Sequence, residues 1–125
     1  MLKTTFLNNV LNQYKIKPYL VLLFLIIFSS TTFSETKLVI LGSGTPNPDP
    51  NRFGSGYAII VNEKAYIVDF GPGIVRRISA MSPSWGGEFS AMELENINIA
   101  FLTHIHSDHS GALADLILTP WVMGR

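Results

Sequence analysis

The stretch Thr103-His104-Ile105-His106-Ser107-Asp108-His109 holds every histidine of the chain. Three imidazoles and one carboxylate fall within six residues, directly behind an apolar run. Imidazole is the commonest metal ligand near neutral pH, and a carboxylate adds a hard oxygen donor. His104 and His106 are two apart, so at the end of an extended strand they point to one side. Asp108 and His109 follow where the chain must leave that strand. The cluster therefore reads as a place for two metal ions, with His104 and His106 serving one and Asp108 and His109 the other. A helical His-x-x-x-His zinc motif does not fit, because the spacing is two and no Glu follows His104. The chain has no cysteine, so any zinc must be held by histidine and carboxylate, and no disulfide framework exists.

Outward from this cluster, the residues 97–103 (INIAFLT) read as a strand with Ile97, Ile99 and Phe101 on one face, delivering His104 to its carboxyl end. Downstream, Ser110 can cap a helix. Ala112, Leu113, Leu116 and Ile117 give that helix an apolar face until Thr119-Pro120 stops it. Upstream, residues 37–41 (KLVIL) read as a buried strand, and the glycines and prolines of residues 42–50 fix an irregular loop. Such a loop can cradle phosphate through its amides, and a plain tight turn explains it equally well. No Gly-Lys-Ser/Thr follows, which excludes a nucleotide P-loop.

Residues 56–61 (GYAIIV) and 65–70 (AYIVDF) read as an antiparallel hairpin around the short polar link Asn62-Glu63-Lys64. Asp69 ends the second of these strands, and a buried carboxylate there must be hydrogen-bonded or paired; turn formation before Gly71 is the plainer use. Residues 74–81 (IVRRISAM) carry apolar side chains at 74, 75, 78 and 81, a helical period, with Arg76 and Arg77 on a solvated outer face. Residues 82–87 break the chain, and residues 92–96 fit a helical turn or a loop.

The 125 residues suffice for one domain at most, and 47% of them are hydrophobic. Nine acidic and nine basic residues balance formally. All the acids lie at or after Glu35, whereas Lys3, Lys15 and Lys17 precede it. From Glu35 onward six bases meet nine acids, a net −3, which is no basic nucleic-acid footprint. Residues 1–34 follow the plan of a secretory signal peptide: a lysine-bearing start, the apolar run of residues 19–28, and a Ser/Thr-rich exit. Thr32 and Ser34 would occupy the −3 and −1 sites, with cleavage before Glu35. The run is shorter than the roughly 20 residues of a membrane span. The expected location is periplasmic or secreted, the alternative being membrane attachment through an uncleaved leader.

His104-x-His106-x-Asp108-His109 resembles the signature of the metallo-β-lactamase superfamily of metal-dependent hydrolases. Leu41-Gly42-Ser43-Gly44-Thr45-Pro46 resembles the opening strand and loop of its ribonuclease Z-like branch, which also holds aryl sulfatase-like and phosphodiesterase-like enzymes. Val68-Asp69-Phe70-Gly71-Pro72-Gly73 resembles the superfamily's aspartate–glycine turn. The three motifs stand in the family's order, and the resemblance covers residues 37–125. It implies an α/β fold, the αβ/βα metallo-β-lactamase sandwich, with residues 35–125 supplying only its first half. It also implies a dinuclear zinc site, other divalent metals being possible, with His104, His106, Asp108 and His109 as ligands. Asp69 would support the metal loop without ligating, and Asp108 would also be the candidate base. A further histidine on the first metal, a bridging aspartate and a last histidine on the second would be needed to complete it. The expected activity is metal-assisted hydrolysis of phosphate, sulfate or related esters by an exported enzyme, with a small-molecule ester favoured over RNA as substrate. The alternatives are a ribonuclease Z-like endoribonuclease that processes transfer RNA 3′ ends, and an inactive fragment that at most binds metal.

Overall fold

A computed structural model of the chain describes Gln13, Lys17, Tyr19, Leu20 and residues 35–125. The leader expected over residues 1–34 lies, but for those four positions, outside the described residues. Among the described residues no helix is long and apolar enough to cross a membrane.

Four strands form one sheet in the order β1-β2-β3-β4: β1 Thr36–Gly42, β2 Gly56–Val61, β3 Lys64–Val68 and β4 Ala100–Phe101. β2 runs antiparallel to both β1 and β3, and β4 lies parallel to β3. The β2–β3 turn needs only two residues. Asn62 (φ 48°) and Glu63 (φ 59°) are both left-handed, the condition for a tight primed turn whose twist matches that of the strands. Lys64 therefore belongs to β3 and pairs with Val61.

Helix α1, Ile74–Met81, has the bounds that its apolar period predicts and buries Ile74, Val75 and Ile78. These pack with Leu41, Ala58, Ile60, Ala65 and Ile67 from one face of the sheet to form the core. Arg76 is exposed as expected, but Arg77 is not simply solvated. Its Nε donates to the Leu41 carbonyl at 3.3 Å, and its guanidinium lies 5.4 Å from the centre of the Phe53 ring, tying α1 to the end of β1. Three short 3₁₀ turns follow, Pro83–Trp85, Ser90–Met92 and Leu94–Asn96, and Met92 and Leu94 close the core from below.

The expectation of a buried first strand fails. β1 is an edge strand, and Leu38 and Ile40 are 67% and 62% exposed. Among the described residues helix covers one face of the sheet, and the alternate residues of β1 are exposed on the other. The strand expected over 97–103 shrinks to Ala100–Phe101, because β3 ends at Val68 and leaves no further partner. Ile97 is buried, but Phe101 is exposed.

Two helices close the chain: α2, Ser107–Ser110, is a single turn, and α3 is Leu113–Val122. Ser110 is no cap for α3, since its hydroxyl donates back to the carbonyls of Ile105 and His106 at 3.1 and 3.0 Å. α3 buries Leu116 and Pro120 but exposes Leu113 and Ile117, and Ala112, just before it, is buried. Nor does Pro120 stop it. A proline removes the amide that would bond the carbonyl four residues back, here that of Leu116. Arg125 supplies a substitute, with Nη1 3.4 Å from the Leu116 carbonyl and Nη2 2.9 Å from that of Ile117.

Candidate metal centre

The clustered side chains meet at the carboxyl ends of β3 and β4, and a ladder of main-chain bonds puts them there. Ser55 N donates to the Asp108 carbonyl at 2.7 Å, Phe70 N to that of His109 at 2.7 Å, and Ala112 N to that of Phe70 at 2.9 Å. Gly71 N bonds the Ser55 carbonyl at 3.0 Å. The turn after β3 is thereby clamped against α2. Gly71 is required for this approach, since a Cβ there would stand 1.8 Å from the Asp108 carbonyl oxygen.

Asp69 is the hub. It is 2% exposed and takes a left-handed φ of 62°. Its Oδ1 accepts from Thr103 N at 2.8 Å, and the Thr103 hydroxyl reaches Oδ1 and Oδ2 at 3.0 and 2.8 Å. Its Oδ2 lies 2.7 Å from His109 Nδ1. Burial pushes the Asp69 carboxyl upward, but the Thr103 amide, His109 and the Thr103 hydroxyl together outweigh it and hold it below the ordinary carboxylate range. Asp69 thus does more than form a turn.

The four candidate ligands fall into two donor pairs. His104 Nε2 and His106 Nδ1 are 3.1 Å apart, and His109 Nε2 and Asp108 Oδ2 are 3.4 Å apart. The rings of His104 and His109 are stacked obliquely with centres 4.0 Å apart, so the pairs adjoin. Among the described residues no three such side chains converge on a single ion. Two nitrogens bound tetrahedrally to one zinc at about 2.0–2.1 Å stand roughly 3.3 Å apart, close to both observed separations. Asp108 is 7% exposed, and its Oδ1 is buried without a hydrogen-bond partner. A buried carboxylate oxygen left in that state is costly unless a cation faces it. The donor set therefore fits a metal pair that calls on further ligands.

A cleft of about 460 Å³ opens beside Asp108, with Gly44, Thr45, Arg52, Gly54 and Pro72 among its walls. The Gly42–Pro50 loop thus borders the candidate centre. Two features went unread in the sequence. One is the role of Thr103, signalled only by a hydroxyl immediately before His104. The other is the main-chain clamp through Ser55 and Gly71, which has no side-chain signature.

Residues 49–124 match the Metallo-beta-lactamase superfamily. The chain belongs to that superfamily, whose fold its four-stranded mixed sheet shares in part. Within it, the chain is 35% identical over 86 residues to Ribonuclease Z of Mycobacterium avium (strain 104) and 36% identical to Ribonuclease Z of Mycolicibacterium paratuberculosis (strain ATCC BAA-968 / K-10). Each match takes in 69% of this chain and 28% of the relative, so the chain spans less than a third of the length of these curated relatives. In structure it resembles YhfI, a metallo-beta-lactamase fold protein of Bacillus subtilis, with a TM-score of 0.57 and 22% identity, over 70% of this chain and 31% of that one. The order of substrates expected from the sequence, a small-molecule ester ahead of RNA, is corrected by these relatives, which carry the name of a ribonuclease. That order rested on the export expected from the leader, which says nothing of the cleft beside Asp108.

Proposed function

We propose that this chain supplies the first half of the metal centre of a phosphodiester hydrolase acting on RNA, in the manner its ribonuclease Z relatives are named for. The observation that carries the hydrolytic centre is the two adjoining donor pairs with the buried, unpartnered Asp108 Oδ1 beside them. The RNA substrate rests on the relatives.

His104 Nε2 and His106 Nδ1 would hold one zinc ion, and Asp108 and His109 Nε2 the other, with ligands from the rest of the protein completing each. Bound zinc supplies a water acidified to near-neutral pH and positive charge at the phosphoryl oxygen. Asp108 faces the cleft and can take a proton from the attacking water, a carboxylate beside the nucleophile being able to serve as base. Asp69 fixes the His109 ring, and the clamp through Ser55 and Gly71 keeps Asp108 in register with it. We further propose that residues 1–34 direct export, so that the RNA it meets lies outside the cytoplasm.

The test uses the complete protein. Zinc content and cleavage of an RNA carrying a 3′ extension are measured for wild type, His106→Ala, Asp108→Ala and Arg76→Ala. The first two variants lose metal and slow by orders of magnitude, since without the acidified water no nucleophile remains at neutral pH. Arg76→Ala, on an exposed helix face, keeps both. Wild-type metal and rate in His106→Ala and Asp108→Ala would refute the centre, and a zinc-loaded wild type that leaves RNA intact would refute the substrate.

A further inference from the structure

We propose that Thr103 is a positioning residue whose hydroxyl, donating to Asp69 and accepting from His104, locks His104 as the Nδ1–H tautomer. One buried carboxylate then orients a histidine in each of the two donor pairs. The purpose of this wiring rests on the metal reading above; its geometry does not.

A threonine hydroxyl has one proton and two lone pairs, and an ionised carboxylate can only accept. Thr103 Oγ1 lies 2.8 and 3.0 Å from the two oxygens of Asp69 and 3.1 Å from His104 Nδ1. Its single proton goes to Asp69, so a lone pair faces His104, and His104 Nδ1 must carry a hydrogen. That leaves His104 Nε2 as a free lone pair. It faces His106 Nδ1 at 3.1 Å, which must then be the donor. On the other side His109 Nδ1 donates to Asp69 Oδ2 at 2.7 Å, which leaves His109 Nε2 free beside Asp108 Oδ2.

The three histidines are thus not equivalent before metal arrives. His104 and His109 already present Nε2 lone pairs. His106 carries its proton on the nitrogen that faces His104. To ligate through Nδ1 it must give that proton to solvent and take one on Nε2, a tautomer change without net proton release. His106 is exposed and free to make it.

The experiment is ring ¹⁵N NMR of the complete protein, histidine-labelled and stripped of metal by chelation. It is run in mildly alkaline buffer. Expected are Nδ1–H tautomers at His104, His106 and His109, with His106 alone converting to Nε2–H when zinc is added. Thr103→Val removes the hydroxyl while keeping the main-chain N–H to Asp69. It should scramble the His104 tautomer, leave His109 as Nδ1–H, and weaken zinc binding by about 10–100-fold, the usual effect of losing an outer partner. Thr103→Ser restores the tautomer and the affinity. A wild-type His104 found as Nε2–H, or a Thr103→Val variant with the His104 tautomer unchanged, would overturn the proposal. If the wild type shows the expected tautomers but binds no zinc, the wiring is upheld and the metal reading falls.

Discussion

Gly71→Ala is the substitution for which the structure fixes a magnitude. The added Cβ would stand 1.8 Å from the Asp108 carbonyl oxygen, 2.8 Å from its carbonyl carbon and 2.8 Å from Gly54 Cα. Contacts under 3.0 Å are essentially absent from real Cβ atoms, so the Asp108 main chain must retreat by at least 3.0 − 1.8 = 1.2 Å. Backbone lies on both sides, so no side-chain rotation can absorb the clash. The retreat breaks the 2.7 Å bond from Ser55 N to Asp108, worth about 1 kcal/mol. It also carries the Asp108 carboxylate and the neighbouring His109 away from His104 and His106. A displacement of about 1 Å at a reacting centre costs on the order of 100-fold in rate. In the complete protein Gly71→Ala should therefore lose about two orders of magnitude in RNA cleavage and melt at lower temperature. Gly86→Ala is the control. Unlike Gly71, it has a positive φ, of 82°, and its Cβ would meet nothing within 4 Å, so it pays left-handed strain of about 1–2 kcal/mol and keeps its rate per folded molecule. Rates are measured under single-turnover conditions on the folded fraction, with circular dichroism for the melt. A Gly71→Ala variant within twofold of wild-type rate and with full metal would refute the clamp.

Asp69→Asn should lower zinc affinity and turnover by about 10–100-fold, less than His106→Ala, as read by metal titration and cleavage rate. The same variant has a pH signature. The lowered folded pKa of Asp69 means that its ionised form contributes stability above the unfolded value of about 3.9, and that this is lost as pH falls through the folded value. The stability gap between wild type and Asp69→Asn should therefore be widest near neutrality and close in acid, and a gap that widens in acid would contradict this sign. Mass spectrometry of the secreted fraction from a bacterial host should find a mature start at Glu35, whereas intact Met1 in the cytoplasm would end the export proposal. Residues 35–125 produced alone should self-associate, because Leu38, Ile40 and Phe101 expose an apolar sheet face. A monomer with a sharp cooperative melt by sedimentation and calorimetry would show otherwise.

What the sequence made legible was local. The candidate ligands lie within six residues, so their grouping needs no knowledge of the fold. α1 and β2 carry their own periods over eight and six residues, and their bounds follow. What stayed hidden was settled by distant partners. Asp69 meets Thr103 across 34 positions, and neither residue type announces the other. An apolar run such as Leu38–Leu41 reads alike in a central strand and an edge strand, because the run does not say how many layers cover it. Pro120 reads as a stop unless the Arg125 guanidinium is known to fold back onto the Leu116 carbonyl that the proline frees and onto that of Ile117.

The backbone at Asp69 shows why an aspartate, and not the glycine its φ favours, occupies the turn. A left-handed non-glycine residue costs on the order of 1–3 kcal/mol, and glycine would adopt the same φ freely. The strain is offset by what the conformation brings together. Asp69 N still reaches the Phe101 carbonyl at 2.8 Å, completing the β3–β4 pairing. The side chain meanwhile swings to the Thr103 and His109 side and accepts three donors there. An extended residue would send the chain onward as strand and away from α2, and Phe70 N could not meet the His109 carbonyl. A glycine would make the turn but leave the Thr103 amide and His109 Nδ1 without their acceptor, buried or half-buried, at a cost of about 1–3 kcal/mol for each unmet group. The strained aspartate is thus the less costly solution. It is also the one that ties the end of the sheet, the histidine at the end of β4 and the histidine on α2 to a single carboxylate.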